Sequence, residues 1–297
     1  MSIELNLNNG DIFAILTAIC WSSAVILFEF SSRRLSSLQI NILKNLIGIT
    51  GFFLTIFFTR TNLTSISLNH FLVLIFSGFI GVALGDLFFL SSLRMLGSGL
   101  SAIIGTFYSP AIILFAFIMY GEIIETQFFL GAALVITGII IGNHESSQLV
   151  DSRRVFIGVI FGILAQLLTA YSVLLVRPIM DYHGVVDIAL VRFTTGFIFS
   201  ITLLLFKNGR QSLINTFSVG FKNVHLISGA LLGTYLSVIL WLLGFKYTLA
   251  GKAAIYNQLS TILIIILARV FLKESMNLRK WFAVILSVCG ALLVSFG

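Results

Sequence analysis

The 297-residue chain is 58% hydrophobic and only 10% charged, whereas an ordinary soluble domain is about 45–50% apolar and about 25% charged. A soluble core cannot bury such an excess of apolar side chains. The formal net charge of +7 does not indicate nucleic-acid binding, because Lys and Arg occur in ones and twos at the ends of apolar runs. Membrane insertion and anionic headgroups favour that distribution. We therefore expect an integral membrane protein without a nucleic-acid partner.

Charged and polar clusters divide the chain into ten predicted transmembrane helices. A helix needs roughly 20 residues to cross a hydrocarbon core of about 30 Å. In chain order, the predicted helices span residues 11–30, 38–59, 70–93, 98–120, 126–142, 154–177, 185–206, 225–247, 251–272 and 278–296. Only the segments Asn143–Arg154 and Lys207–Val224 are long enough to act as linkers. Residues 1–10 contain Glu4 and no Lys or Arg, so we expect a retained first helix rather than a secretory signal.

The two halves of the chain resemble each other in sequence. Placing residues 81–145 over 233–297 aligns Gly81/Gly233, Gly99/Gly251, Ala102/Ala254, Glu122/Glu274, Gly138/Gly290, Arg94/Lys246 and Phe89/Trp241. In the earlier part, an offset of 148 places Lys44 over Arg192 and Gly48 over Gly196. We predict a first five-helix repeat at 1–142, a linker at 143–153 and a second repeat at 154–297.

Five helices per half is an odd number, so the second half must enter the membrane in the opposite sense. The predicted fold is therefore an all-α membrane protein of two inverted five-helix repeats. This architecture is typical of secondary transporters, which bind substrate at the repeat interface near mid-membrane. A channel can share it.

Several motifs resemble those of the ten-helix EamA-like branch of the drug/metabolite transporter superfamily, over the whole chain. Trp21-Ser22-Ser23 is similar to the Trp-Gly-Ser of the family, and Leu190-Val191-Arg192-Phe193 is similar to its Leu-Arg-Phe. Gly121-Glu122 and Lys273-Glu274 resemble its Gly-Glu-Arg-Leu turn. Two positions depart from the pattern: Glu29 stands where the family often has Lys, and Ile262 stands where the first half has Pro110.

The resemblance implies an alternating-access secondary carrier, commonly an exporter of amino acids or other small metabolites, and not an enzyme. We expect it in a bacterial cytoplasmic membrane, as a monomer in contact with membrane lipid. A membrane-embedded lipid-modifying enzyme and a channel are the alternatives. The four histidines lack ligand spacing with Cys or acids and no phosphate-binding glycine loop occurs, so we expect neither metal nor other cofactor.

Asp86 is the most informative residue, because it lies 16 residues into a predicted helix, too deep for its short side chain to reach the interface. A carboxylate there must pair, bind a cation or take up a proton. The functional prediction is a proton-coupling or cationic-substrate site. The structural alternative is an ion pair with Lys44 or Arg192, whose long side chains could instead be anchors or an anion-binding pair.

Aromatic and amide side chains in the central helices complete the predicted substrate site. Buried amides need partners, which at mid-membrane depth come from protein, water or substrate. The predicted substrate-binding residues are Trp21, Lys44, Asp86, Tyr108, Gln166, Tyr171, Arg192, Tyr235, Trp241, Tyr256, Asn257 and Gln258. Packing or an interfacial belt is the alternative for each aromatic residue. Pro110 predicts a kink beside the site, because it removes a backbone hydrogen bond.

Two arguments disagree about orientation. Twelve Lys and Arg residues fall on the side of the loops that follow the odd-numbered helices, and four on the side of both termini. The positive-inside rule then places both termini outside the cytoplasm, whereas the family resemblance implies termini inside. Both agree that the two termini lie on the same side.

Overall fold

The computed structural model describes residues 9–59, 66–121, 123, 126–149, 152–248, 250–275 and 277–296, with the side chains of 143–149, 250–252, 254–255, 257 and 294–296 left out of the description. All regular structure in these ranges is helical. The helices are α1 (Asn9–Ser32), α2 (Ser37–Thr59), α3 (Leu68–Gly105), α4 (Tyr108–Tyr120), α5 (Thr126–Leu149), α6 (Ser152–Asp181), α7 (Val185–Gly220), α8 (Val224–Tyr247), α9 (Ala250–Leu267) and α10 (Leu278–Phe296).

Length and composition mark six of these helices as able to cross a membrane, namely α1, α2, α3, α6, α7 and α8. Shorter apolar helices occur at Tyr108–Tyr120, Thr126–Gly142 and Gln258–Leu272. Large apolar side chains such as Phe57, Phe58 and Phe206 point outward, with exposed fractions of 66%, 75% and 88%, while many Ser, Thr and Asn side chains are buried. An apolar outside and a partly polar inside suit a protein surrounded by lipid. Ten membrane crossings remain a prediction.

Helix α3 covers the predicted helix 70–93 and the first part of the predicted helix 98–120, and it is broken at the boundary between them. Gly97 has φ +81° and ψ 173°, a conformation that glycine adopts without steric cost. This residue separates the segment 98–105 from the rest of α3. A turn at Thr106–Phe107 then separates that segment from α4. Pro110 explains the turn, because its ring would collide with the carbonyl of Thr106, four residues earlier, in a continuous helix.

The prediction of a linker at Lys207–Val224 is wrong, because most of this segment is helical. Helix α7 continues to Gly220 after a break at Gly209, where φ is +74°. The added segment packs against α2: Gln39 Nε2 donates to Thr216 Oγ1 at 3.0 Å, and Thr216 and Gly220 are buried. The polar residues Lys207–Ser212 look like a loop in sequence, but the following apolar face is held by these tertiary contacts.

The predicted linker 143–153 is helical through Leu149, and α6 begins at Ser152. Residues 150–151 lie outside the described ranges. The division into 1–142 and 154–297 stays a prediction.

Contacts between the halves recur at positions related by the two sequence offsets. A Cβ atom on Gly48 of α2 would collide with Thr234 of α8, and one on Gly196 of α7 would collide with Val82 of α3. The two glycines are 148 residues apart in sequence, and their partners Val82 and Thr234 are 152 residues apart, which are the two offsets found in the sequence. Likewise, α5 and α10 pack through Gly138 against Ala283 and Ser287, and through Gly290 against Gly131 and Val135. Small residues at such crossings let helix backbones approach closely.

Two π-helical turns also occur at related positions, Gly78–Gly85 in α3 and Ala230–Leu236 in α8. Such turns are rare and often mark functional sites. Each π turn packs against helices of the other half of the chain. The turn in α3 contacts α6 and α7, and the turn in α8 contacts α1 and α2. The centre of the protein, between these crossings, is the place where the two halves meet.

Candidate functional site

A cavity of about 180 Å³ lies at the centre of the protein. Helices α1, α2, α3, α4, α6, α7, α8 and α9 all contribute side chains to it, so both halves of the chain form its wall. Its lining combines charged residues with aromatic ones and with small Ser and Thr side chains. A mostly apolar cavity with a few convergent polar groups is the usual form of a small-molecule site.

One side of the cavity carries a buried ion pair. Lys44 Nζ lies 2.5 Å from Asp86 Oδ2 and also donates to Asn45 Oδ1 at 2.9 Å. The Lys44 side chain is 6% exposed and that of Asp86 is 23% exposed. The structural alternative for Asp86, an ion pair with a basic residue, is therefore present with Lys44. Asp86 is the more accessible partner and lines the cavity, and a proton-coupling role stays a prediction.

The other basic residue, Arg192, is only 2% exposed and has no carboxylate within ion-pair distance among the described residues. Its Nη2 donates to Ser172 Oγ at 3.1 Å, and its Cζ lies 5.9 Å from the centroid of the Trp241 ring. Its Nε has no hydrogen-bond partner in the described part of the chain.

The sequence offsets explain this difference between Lys44 and Arg192. Arg192 corresponds to Lys44, but the position that corresponds to Asp86 is Val238, which also lines the cavity. The second half therefore presents a buried cation without the carboxylate that neutralises its counterpart in the first half. Leaving a charged group buried and incompletely bonded is costly unless a ligand completes its bonding.

Three further buried polar atoms lie unpaired at the same cavity. Gln258 Nε2 donates to Ser109 Oγ at 2.6 Å, but Gln258 Oε1 and Ser101 Oγ have no partner in the described ranges. The hydroxyl of Tyr108 lies near the Trp241 indole without a hydrogen bond of normal geometry there. Native proteins rarely leave such groups unsatisfied, so the cavity offers hydrogen-bonding capacity for a ligand.

Comparisons with known proteins identify the family. The chain matches the EamA-like transporter family over residues 8–143 and 156–296. It belongs to that family. It is also 22% identical over 285 residues to a protein named "Uncharacterized transporter" from Archaeoglobus fulgidus, covering 95% of this chain and 96% of that protein.

A crystal structure with 13% sequence identity superposes with a TM-score of 0.71, covering 96% of this chain and 95% of the other. At this identity the superposition shows the fold alone. The family resemblance seen in the sequence is confirmed, and this EamA-like protein is an integral membrane transporter.

Eight of the predicted substrate-binding residues line the central cavity of this transporter: Trp21, Lys44, Asp86, Tyr108, Gln166, Arg192, Trp241 and Gln258. Tyr171 instead packs on Phe115, with ring centroids 5.3 Å apart. Tyr235 hydrogen bonds to Thr55 Oγ1 at 2.6 Å, outside the lining, and Tyr256 is half-buried on α9, also outside it. The side chain of Asn257 lies outside the described part. Substrate binding by each of these residues stays a prediction.

Several lining residues of the transporter escaped the sequence reasoning. They include Thr17, Ser101, Thr169, Ser172, Phe193 and Thr234. Ser and Thr are common in transmembrane helices and carry no signal of depth or direction individually. Ser172 lies on the face of α6 that packs against Arg192 and the π turn of α3, and only the helix packing reveals this position.

Polar contacts also join helices at both ends of α1. At its C-terminal end, Ser98 Oγ donates to Glu29 Oε2. The N–H groups of Ser98 and Gly99 donate to Glu274 at 2.9 and 3.0 Å. At its N-terminal end, Thr248 Oγ1 donates to Asp11 Oδ1 at 3.1 Å. The central cavity therefore lies between two polar clusters, which we call the Glu29 cluster (Glu29, Ser98, Gly99, Glu274) and the Asp11 cluster (Asp11, Thr248).

Proposed function

We propose that this chain is a secondary active transporter that moves small carboxylate-bearing metabolites, amino acids or related compounds, by alternating access. One observation carries the proposal: Arg192 is a buried cation on the wall of the central cavity with an unpaired Nε and no carboxylate partner among the described residues. Asp86 acts on Arg192 electrostatically but does not pair with it. A substrate carboxylate supplies a direct counter-charge and an acceptor for Nε.

The other groups of the cavity agree with a substrate that has both an acceptor and a donor. The Tyr108 hydroxyl adds a donor near Arg192, and Gln258 Oε1 adds an unpaired acceptor. Asp86 is the more accessible partner of its ion pair, so an ammonium group of the substrate can compete with Lys44 for it. Trp21 and Phe89, with ring centroids 5.3 Å apart, form an apolar wall for a side chain.

The polar clusters at the two ends of α1 support alternating access. We infer that the Glu29 cluster closes one end of the cavity and the Asp11 cluster the other, and that each opens while its counterpart stays closed. Each cluster joins the two halves of the chain, through the Ser98 and Gly99 N–H groups and Glu274 in one case and Asp11 and Thr248 in the other. Breaking a few hydrogen bonds at one end is a small enough change for a ligand of differential affinity to drive.

Asp86 is the proposed coupling residue. Protonation of its carboxylate neutralises one partner of the buried pair and frees Lys44 Nζ for a different contact. An ion that binds one conformation better than the other shifts the balance between them. Proton occupancy of Asp86 therefore links a pH gradient to the direction of substrate movement.

Export and a bacterial cytoplasmic membrane are the proposed direction and location, and both rest on the family. The Lys and Arg count places the loops around Arg33 and Arg279 in the cytoplasm, and the family would place them outside. The direction of transport is therefore to be measured independently of the topology.

The test is a metabolite-resolved counterflow screen with purified protein in proteoliposomes. Liposomes loaded with a metabolite mixture are diluted into single labelled compounds, and accumulation against equilibrium is followed. We expect saturable counterflow of carboxylate-bearing compounds and none of their amides. Flux without counterflow supports the channel alternative, and conversion of a lipid without flux supports the enzyme alternative.

A further inference from the structure

A second cavity, of about 330 Å³, lies between the end of α1 and the start of α8. Its wall includes Arg33 and Arg34, which follow α1, and Lys222 and His225, at the start of α8. It shares no lining residue with the central cavity. Because α1 belongs to the first half and α8 to the second, this cavity also lies between the halves.

The cavity is electropositive and largely uncompensated. No carboxylate lies within ion-pair distance of these basic side chains in the described ranges. Glu29 lies one turn before Arg33 and interacts with it electrostatically, but its carboxylate also accepts a hydrogen bond from Ser98. All three Lys and Arg side chains are exposed, so they are available to an external anion.

Two of the basic side chains pack against the aromatic ring of Phe30. The Cζ of Arg33 lies 4.9 Å from the centroid of the Phe30 ring, and the His225 ring lies 5.1 Å from the same ring. Val224, beside them in the wall, is 69% exposed, and nearby Phe221 is 53% exposed. The site therefore has cations next to an exposed apolar surface, which matches a phosphate headgroup attached to acyl chains rather than a soluble anion.

The position of the cavity in the membrane supports a lipid ligand. It lies where α1 ends and α8 begins, and the predicted ten-helix topology puts both ends on the face with twelve of the Lys and Arg residues, which the positive-inside rule assigns to the cytoplasm. Basic pockets between transmembrane helices on the cytoplasmic side bind anionic headgroups, and each nearby Lys or Arg contributes to the attraction.

We propose that this cavity binds the headgroup phosphate of an anionic phospholipid. Arg33, Arg34 and Lys222 bind the phosphate, and Val224 and Phe221 contact the acyl chains. The bound lipid bridges the first and second halves of the chain at this face. This site is independent of the substrate of the central cavity.

The test titrates the full-length protein in detergent with phosphatidylglycerol, and separately with phosphatidylcholine, and counts bound lipids by native mass spectrometry. The variant Arg33→Gln, Arg34→Gln, Lys222→Gln is compared with a control that removes three charges from the same predicted face, Arg269→Gln, Lys273→Gln, Arg279→Gln. We expect the first variant to weaken phosphatidylglycerol binding by at least about tenfold. The control should change it by less than about twofold.

Three outcomes would overturn the proposal. Wild-type protein that binds phosphatidylcholine as tightly as phosphatidylglycerol shows no headgroup selectivity. A control that loses as much affinity as the cavity variant shows attraction by surface charge alone. Displacement of phosphatidylglycerol by inorganic phosphate at equal concentration shows a site for free phosphate. A further measurement uses wild-type protein only. Raising the salt concentration should weaken the first binding event, because exposed charges are screened.

Discussion

At the scale of single residues, the buried Lys44–Asp86 pair makes the sharpest prediction about stability. Asp86→Asn leaves the Lys44 ammonium buried beside no carboxylate, and breaking a buried pair from one side costs on the order of 3 kcal/mol. We expect a lower melting temperature in detergent and a lower yield. The double variant Lys44→Gln, Asp86→Asn removes both charges and should recover most of the loss. A double variant no more stable than the single one would contradict the ion-pair account.

The same double variant tests coupling, because it should be folded and without a titrating carboxylate at this position. We expect it to bind substrate less tightly, because the ammonium contact to Asp86 is lost, and to lose accumulation driven by a pH gradient, measured as uptake into proteoliposomes with and without an imposed gradient. Counterflow under equal pH at saturating substrate is the control and should persist. If gradient-driven accumulation is unchanged, Asp86 is structural and coupling lies at another residue.

Tyr108 gives a prediction in which stability and binding move in opposite directions. Its buried hydroxyl makes no hydrogen bond of normal geometry in the described part of the chain. Removing an unsatisfied buried polar group relieves its desolvation cost. Tyr108→Phe should therefore raise the melting temperature slightly while weakening substrate affinity by about tenfold, the effect of one lost hydrogen bond to a charged group. Lower stability with unchanged affinity would assign the hydroxyl a purely structural role.

At the scale of elements, the break at Gly97 is stabilised from across the chain. Glu274 accepts hydrogen bonds from the N–H groups of Ser98 and Gly99, which begin the segment after the break. A carboxylate at this position also interacts favourably with the positive end of the helix. Glu274→Ala should lower the melting temperature markedly, and Glu274→Gln less, because the amide keeps one acceptor oxygen. Lys273→Ala is the neighbouring control and should have little effect; equal losses would contradict the capping role.

The sequence predicted most helices within a few residues and failed where tertiary contacts decide. Residues 207–224 were misjudged because Lys207 and Asn208 are loop-like, whereas the Gln39–Thr216 hydrogen bond holds the following segment as helix. The break before α4 followed from Pro110. The break at Gly97 falls in the gap predicted between the helices 70–93 and 98–120.

At the scale of the whole molecule, the repeated contacts support the predicted inverted repeat. The contacts of Gly48 with Thr234 and of Gly196 with Val82 are related by the two sequence offsets. We expect residues 1–142 to superpose on 154–297 after a rotation of about 180° about an axis in the membrane plane. Labelling of engineered terminal cysteines with an impermeant reagent should find both termini on one side; labelling on opposite sides would contradict five helices per half.

The site was only partly predictable for a reason that belongs to the whole molecule. Sequence comparison of the halves placed Lys44 and Arg192 at equivalent positions and marked Asp86 as deep in the membrane. It could not show which cation Asp86 pairs with, because both lie within reach of a mid-membrane carboxylate. That choice depends on helix packing, and it is what leaves Arg192 available.

The most direct test places a carboxylate in the second half at the position that corresponds to Asp86. Val238 stands where the first half has Asp86, one helical turn before Trp241, which lies against Arg192. The measurement is counterflow of a carboxylate-bearing substrate by the variant Val238→Asp. The control is the variant Val238→Asn, because Asn has nearly the shape of Asp and no charge. The account predicts that Asp neutralises Arg192 and reduces counterflow at least about tenfold relative to Asn. Equal counterflow by the two variants would contradict the claim that Arg192 receives the substrate carboxylate.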